Sequence, residues 1–201
     1  MLPAQHSLYY GQRASLFEIL PHSENDIIFL GNSITDGCEW AELFDNKNIK
    51  NRGIGGDIAQ GVYDRLPVIL IGKPAKIFLL IGINDVARGQ TSDFVVASIE
   101  KIIEKVKTDS PKTKLYIQSV LPVNDEFNVN FDHTKRGNIV IQINNCLKTV
   151  AEKNNLTYID LYSLFINENG KLNADYTNDG LHLTGKGYKV WHDIILPYVN
   201  E

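Results

Sequence analysis

The chain is short of most features that would mark a specialised class. It has two cysteines, Cys38 and Cys146, in 201 residues, which excludes a disulfide framework and a thiolate metal site. No HExxH helix or Cys/His cluster with ligand spacing occurs, so no metal is expected, and no organic cofactor either. There is no basic excess: the formal net charge is −4, which leaves no electrostatic footprint for nucleic acid or an anionic membrane. No apolar run approaches the ~20 residues of a membrane span. The stretch Met1-Leu2-Pro3-Ala4-Gln5-His6 lacks the charged and apolar regions of a signal peptide. The expectation is a cytoplasmic protein, or a trimmed form that is periplasmic or secreted. Repeats, low-complexity tracts and an interdomain linker are missing as well, so residues 1–201 read as a single domain.

What is present is an alternation of short apolar runs with amphipathic stretches. Ile27–Leu30, Ile49–Ile54, Lys76–Ile81, Leu115–Val120 and Leu156–Asp160 read as strands. Leu8–Leu20, Glu39–Phe44, Ile58–Leu66, Asp93–Lys107, Ile139–Asn154 and Thr184–Tyr198 read as helices, with Pro67 expected to break or kink the third. Asn124–His133 reads as a long polar loop and Asn167–Gly180 as an irregular stretch. This pattern predicts a three-layer α/β/α sandwich on a five-stranded parallel sheet. Crossover handedness and a single switch point favour the flavodoxin-like order 2-1-3-4-5.

Ligands of open parallel sheets bind at the carboxyl ends of the strands. Four polar clusters fall there: Gly31-Asn32-Ser33, Gly55-Gly56-Asp57, Gly82-Ile83-Asn84-Asp85, and Asp179-Gly180-Leu181-His182 before the last helix. Ser33 is placed as a nucleophile, although a serine there also serves as a helix cap. A serine hydroxyl needs a base, and of the five histidines only His182 has a carboxylate, Asp179, three residues earlier in a glycine-containing turn. That spacing lets Asp179 accept from the imidazole Nδ1–H and leaves Nε2 for Ser33. Acyl transfer also needs donors for the oxyanion. The backbone N–H groups of Ser33 and Gly56 and the side-chain amide of Asn84 are the candidates. Cys38 reads as a small buried hydrophobe rather than a reactive thiol. Gly53-Ile54-Gly55-Gly56 is not a dinucleotide fingerprint, because Ile58 replaces its third glycine.

Gly31-Asn32-Ser33-Ile34, Gly56-Asp57, Gly82-Ile83-Asn84-Asp85 and Asp179-Gly180-Leu181-His182 together resemble the four blocks of the SGNH (GDSL-like) hydrolases, in that family's order. The resemblance implies the flavodoxin-like sandwich and a serine esterase. It implies Ser33 as nucleophile and first oxyanion donor, Gly56 and Asn84 as the other donors, His182 as base and Asp179 as its orienter. One departure is that the family's Gly-Asp-Ser-Leu reads Gly31-Asn32-Ser33-Ile34 here. The G-x-S-x-G elbow of other serine hydrolases is missing, since Thr35 stands at its second glycine.

The chain also resembles small bacterial members related to platelet-activating-factor acetylhydrolases and sugar O-acetylesterases, which implies short acyl groups, acetyl above all, on a small-molecule or glycan ester. Asn32, Trp40 and Arg88 are carried as substrate-contacting candidates. Trp40 reads as core more readily than as a substrate contact, and Arg88 is equally readable as a solvated loop residue. His133 reads as exposed rather than catalytic. Rival readings are a lysophospholipase or thioesterase with the same residues, a non-catalytic carbohydrate-binding module, and a flavin- or phosphate-binding protein, which Asp36 in the first loop disfavours. The oligomeric state stays open, a homodimer included.

Overall fold

The computed structural model describes residues 7–201. Residues 1–6, which include His6 and the stretch assessed above as a leader, lie outside the described residues. In chain order the elements are α1 (Leu8–Ile19), β1 (Ile27–Gly31), α2 (Ser33–Asp36), α3 (Trp40–Leu43), β2 (Ile49–Gly53), α4 (Ala59–Ile69), β3 (Lys76–Leu80) and α5 (Ile83–Ala87). There follow α6 (Ser92–Asp109), β4 (Lys114–Gln118), α7 (Phe131–Thr134), α8 (Gly137–Asn154), β5 (Thr157–Ile159), α9 (Tyr162–Phe165) and α10 (Gly185–Asn200). The five strands form one sheet in the order β2-β1-β3-β4-β5, as the alternation predicts. No helix among the described residues is long and apolar enough to cross a membrane.

The chain divides into two compact units. The first comprises Met1–Ile81 with Ala97–Tyr116. β1 and β3 are buried along their whole length, which is why both read as unbroken apolar runs rather than alternating ones. They pair in parallel with Phe29 opposite Phe78. That register stacks the two rings at 5.1 Å between centroids. Phe78 in turn stacks on Tyr116 of β4 at 4.5 Å, and Trp40 of α3 on Phe29 at 4.3 Å. Tyr10 and Phe17 of α1 bury against Ile54, with Ala14, Leu20 and Val68 packed around them. α4 does not stop at Pro67: it runs to Ile69, and Leu70 N–H closes it on Leu66 O at 2.9 Å. A proline near the last turn removes one backbone donor, and burial of Leu66 and Ile69 outweighs that loss.

The second unit comprises Gly82–Val96 with Ile117–Glu201. α8 buries Val140, Ile143, Leu147 and Val150, the 3.6-residue stripe expected of it. Asn144 sits on that stripe as a polar member: its amide accepts from Val120 N–H at 2.8 Å and donates to Val120 O at 2.9 Å, extending β4's bonding past its end. Trp191 of α10 is fully buried and its indole N–H donates to Gln118 Oε1 at 2.7 Å. The segment expected as a polar loop over Asn124–His133 is more ordered than that. Asn124 caps a 3₁₀ turn over Asp125–Phe127, and Asn130, in the left-handed region at φ 53°, caps α7. Asparagine tolerates that conformation, and three of the ten residues in this segment are asparagines.

Candidate active site

In the first unit the end of β1 delivers Ser33. Asn32 caps α2, its Oδ1 accepting from Ile34 N–H at 3.1 Å, so Ser33 opens a single helical turn and is half-buried. That turn is held from three directions. Asn51 of β2 turns its Nδ2 to the carbonyls of Thr35, Asp36 and Cys38 at 3.1, 3.0 and 2.9 Å, satisfying acceptors that a short helix leaves open. Gly53 lies beneath it, where a Cβ would collide with the backbone of Asp36, so only glycine lets β2 come this close. Asp36 accepts from Gly55 N–H at 3.2 Å and from the Tyr9 hydroxyl at 2.9 Å, tying the serine turn to the loop that carries Gly56. Gly56 has φ +76° and is exposed, a conformation glycine adopts without penalty.

Under this frame lies a buried ion pair that the sequence did not announce. Arg65 Nε donates to Asp57 Oδ2 at 3.0 Å, with both side chains at most 3% exposed. Arg65 also donates to Arg52 O at 2.8 Å and to Gly31 O at 3.0 Å. One guanidinium thus links the ends of β1 and β2 to the residue that follows Gly56.

Of the tentative substrate contacts, Trp40 is corrected. It is 1% exposed, stacked on Phe29, and its indole N–H donates to Thr35 O at 2.8 Å, so it packs below the serine turn. Asn32 is likewise fully buried, and its cap bond uses only the side-chain oxygen, a role an aspartate would fill equally well. Arg88 is exposed at the C-cap of α5. Cys38 is buried, and burial first, then the Glu39 charge, pushes its thiol up to about 12.

In the second unit Asp179 and His182 meet: Asp179 Oδ2 and His182 Nδ1 are 2.7 Å apart. A carboxylate only accepts, so Nδ1 carries the proton and Nε2 is the basic nitrogen of the neutral ring. The carboxylate is itself fixed. Its Oδ1 accepts from Leu181 N–H at 2.9 Å and His182 N–H at 2.7 Å, and Asn130 Nδ2 donates to Oδ2 at 3.1 Å. Partial burial works to raise the Asp179 pKa. The bonds from the His182 ring and the two backbone amides outweigh it and hold the group below the usual carboxylate value.

Asn84 lies in the first turn of α5, 8% exposed. Its Oδ1 is 2.9 Å from His133 Nε2. His133 is therefore not the exposed loop residue expected: it is half-buried and bonded to a residue of the third block. The only sequence signal for it was a histidine in a segment dense in asparagine caps.

A five-stranded parallel sheet with helices between its strands is the frame of an α/β protein whose ligands bind at the strand ends. The GDSL-like Lipase/Acylhydrolase family model matches residues 29–190. The chain belongs to that family and is a hydrolase of its class. It is 27% identical over 188 residues to the platelet-activating factor acetylhydrolase IB subunit alpha2 of Rattus norvegicus, covering 89% of this chain and 79% of the relative. A Streptococcus pneumonia structure named for platelet activating factor superposes with a TM-score of 0.87 at 28% identity, covering 95% of this chain and 92% of that one. A GDSL-like lipase from Bacteroides thetaiotaomicron VPI-5482 gives a TM-score of 0.82 at 26% identity, covering 95% and 97%.

Proposed function

We propose that the protein hydrolyses short-chain carboxylic esters, acetyl esters first, by serine nucleophilic catalysis. The observation that carries this reading is the 2.7 Å Asp179–His182 pair, with its carboxylate held by two backbone amides and Asn130. Ser33 Oγ attacks the ester carbonyl as its proton passes to His182 Nε2. The imidazolium is stabilised by Asp179, and the negative oxygen of the tetrahedral intermediate accepts from Ser33 N–H, Gly56 N–H and Asn84 Nδ2. His182 then returns the proton to the leaving alkoxide as the C–O bond breaks, which leaves Ser33 acylated and frees the alcohol. A water, deprotonated by His182, attacks the acyl-serine and releases the acid. The family match, over residues 29–190, runs through both units, which supports reading them as parts of one domain.

The acetyl preference draws on the acetylhydrolase named among the relatives, and acetyl groups on carbohydrate are the natural substrates to try next. The test is hydrolysis of p-nitrophenyl esters of increasing acyl length by the wild type and by Ser33→Ala. Turnover confined to acetyl and propionyl esters, and abolished by the substitution, supports the reading. A maximum at long chains points to lipid or thioester substrates instead. Undiminished activity in Ser33→Ala overturns the nucleophile.

A further inference from the structure

We propose that His133 is a positioning residue for the oxyanion donor Asn84: its Nε2–H holds Asn84 Oδ1 and so fixes the corner of the amide that Nδ2 occupies. This rests on the reading of Asn84 given above. A primary amide is nearly symmetric in shape, and its two ends differ only in that Oδ1 accepts and Nδ2 donates. An oxyanion needs the donating end. A partner that donates to Oδ1 favours that orientation before substrate arrives, and a donor already oriented does not have to reorganise as charge develops.

The geometry meets the requirement. His133 Nε2 is 2.9 Å from Asn84 Oδ1, and a carbonyl oxygen cannot donate, so Nε2 carries the proton. The turn of backbone that carries the ring is itself anchored. His133 N–H donates to Asn130 O at 2.9 Å, and Thr134 Oγ1 donates to Asn130 O and Val129 O, each at 3.2 Å. Burial first, then the nearby His182, holds the His133 pKa below the usual histidine value, while Asp132 and Asp179 pull the other way. That direction favours the neutral imidazole, which keeps an N–H for Asn84 Oδ1 without adding charge.

The same short segment reaches the other half of the chemistry. Asn130, which caps α7 three residues before His133, donates to Asp179 Oδ2, the oxygen that His182 Nδ1 also uses. One turn of chain thus orients both the acid behind the base and the amide that meets the oxyanion.

The test is steady-state kinetics on p-nitrophenyl acetate for His133→Phe, His133→Gln, Asn84→Ala and the double variant Asn84→Ala/His133→Phe, with thermal unfolding recorded for each. Phenylalanine keeps the volume and loses the donor; glutamine keeps a donor at the place of Nε2. His133→Phe is expected to lower kcat about tenfold with KM little changed, a fraction of the ~10²–10³-fold loss on deleting an oxyanion donor. His133→Gln should recover most of that loss. In the Asn84→Ala background His133→Phe should cost nothing further, because the two act as a unit. Full kcat in His133→Phe, equal losses in the Phe and Gln variants, or losses that multiply in the double variant each overturn the proposal. If Asn84→Ala itself is silent, the oxyanion assignment falls and the proposal with it, whereas a large loss in Asn84→Ala beside a silent His133→Phe refutes only the role of His133.

Discussion

Replacing Arg65 with methionine probes the frame that carries Ser33 and Gly56. Methionine keeps the length of the side chain and its helix propensity within α4, so the change removes the guanidinium and little else. What is lost is the 3.0 Å contact to Asp57 and the donations to Arg52 O and Gly31 O at 2.8 and 3.0 Å. Breaking a buried pair by removing one partner costs about 3–5 kcal/mol, because a carboxylate is left in a site built for two charges. Counting bonds gives a comparable floor, since three hydrogen bonds from a charged donor at ~1.5 kcal/mol each come to about 4.5 kcal/mol. At roughly 2–4 °C per kcal/mol for a chain of this length, a loss near 4 kcal/mol lowers Tm by about 8–16 °C. Urea unfolding followed by tryptophan fluorescence measures it directly, with the midpoint expected to fall at unchanged slope. The double variant Asp57→Leu/Arg65→Met should lose less than Arg65→Met alone, because no uncompensated charge remains. A loss below ~1 kcal/mol in Arg65→Met, or a double variant worse than the sum of the singles, would refute the claim that this pair supports the frame.

Asp179→Asn should lower kcat by about 10³–10⁴-fold with little change in KM, since an amide no longer stabilises the imidazolium; single-digit losses on p-nitrophenyl acetate would count against the triad. Trp40→Ala should cost about 3–5 kcal/mol in urea unfolding, and Trp40→Phe should leave KM for acetyl esters where it was, whereas a substrate-stacking tryptophan would raise it. In the folded protein, 5,5′-dithiobis(2-nitrobenzoate) should react at once with exposed Cys146 and reach Cys38 only on unfolding, because burial pushes that thiol up to about 12. The His133 pKa is lowered in the folded state, so at pH below the ordinary histidine value of ~6.5 the unfolded chain binds the proton more readily. Stability contributed there is fully present above that value and falls as pH drops through the window. His133→Gln should flatten the slope of urea midpoints between about pH 5 and 7, and an unchanged slope would show that the ring is not held neutral.

The residues proposed for chemistry were legible because each lies beside the backbone feature that presents it. Ser33 follows an apolar run by three residues, Asp179 and His182 share one turn, and Asn84 lies in the first turn of a helix right after a buried strand. Such short spacings are written in the chain, and so was the strand order, which follows from alternation and crossover handedness. The misses are contacts over long separations. Arg65 meets Gly31 across 34 positions and His133 meets Asn84 across 49, and no local pattern encodes either pairing. Trp40 was carried as a substrate candidate for a related reason: its distance from Ser33 in sequence is short, but the stack on Phe29 that makes it core is set by how α3 lies on β1. Pro67 was overweighted because local propensity was not set against the burial of Leu66 and Ile69. The division has a physical cause. Groups that react must sit on an exposed strand end or turn, so local sequence determines them. Groups that hold the reacting atoms steady must approach from other segments, because a side chain cannot be constrained by its own backbone alone. A loop rich in asparagine caps with one histidine is then better read as a place where such support is built than as a connection. His133 and Asn130 show what that reading would have found, since each acts on a residue that the motifs had already named.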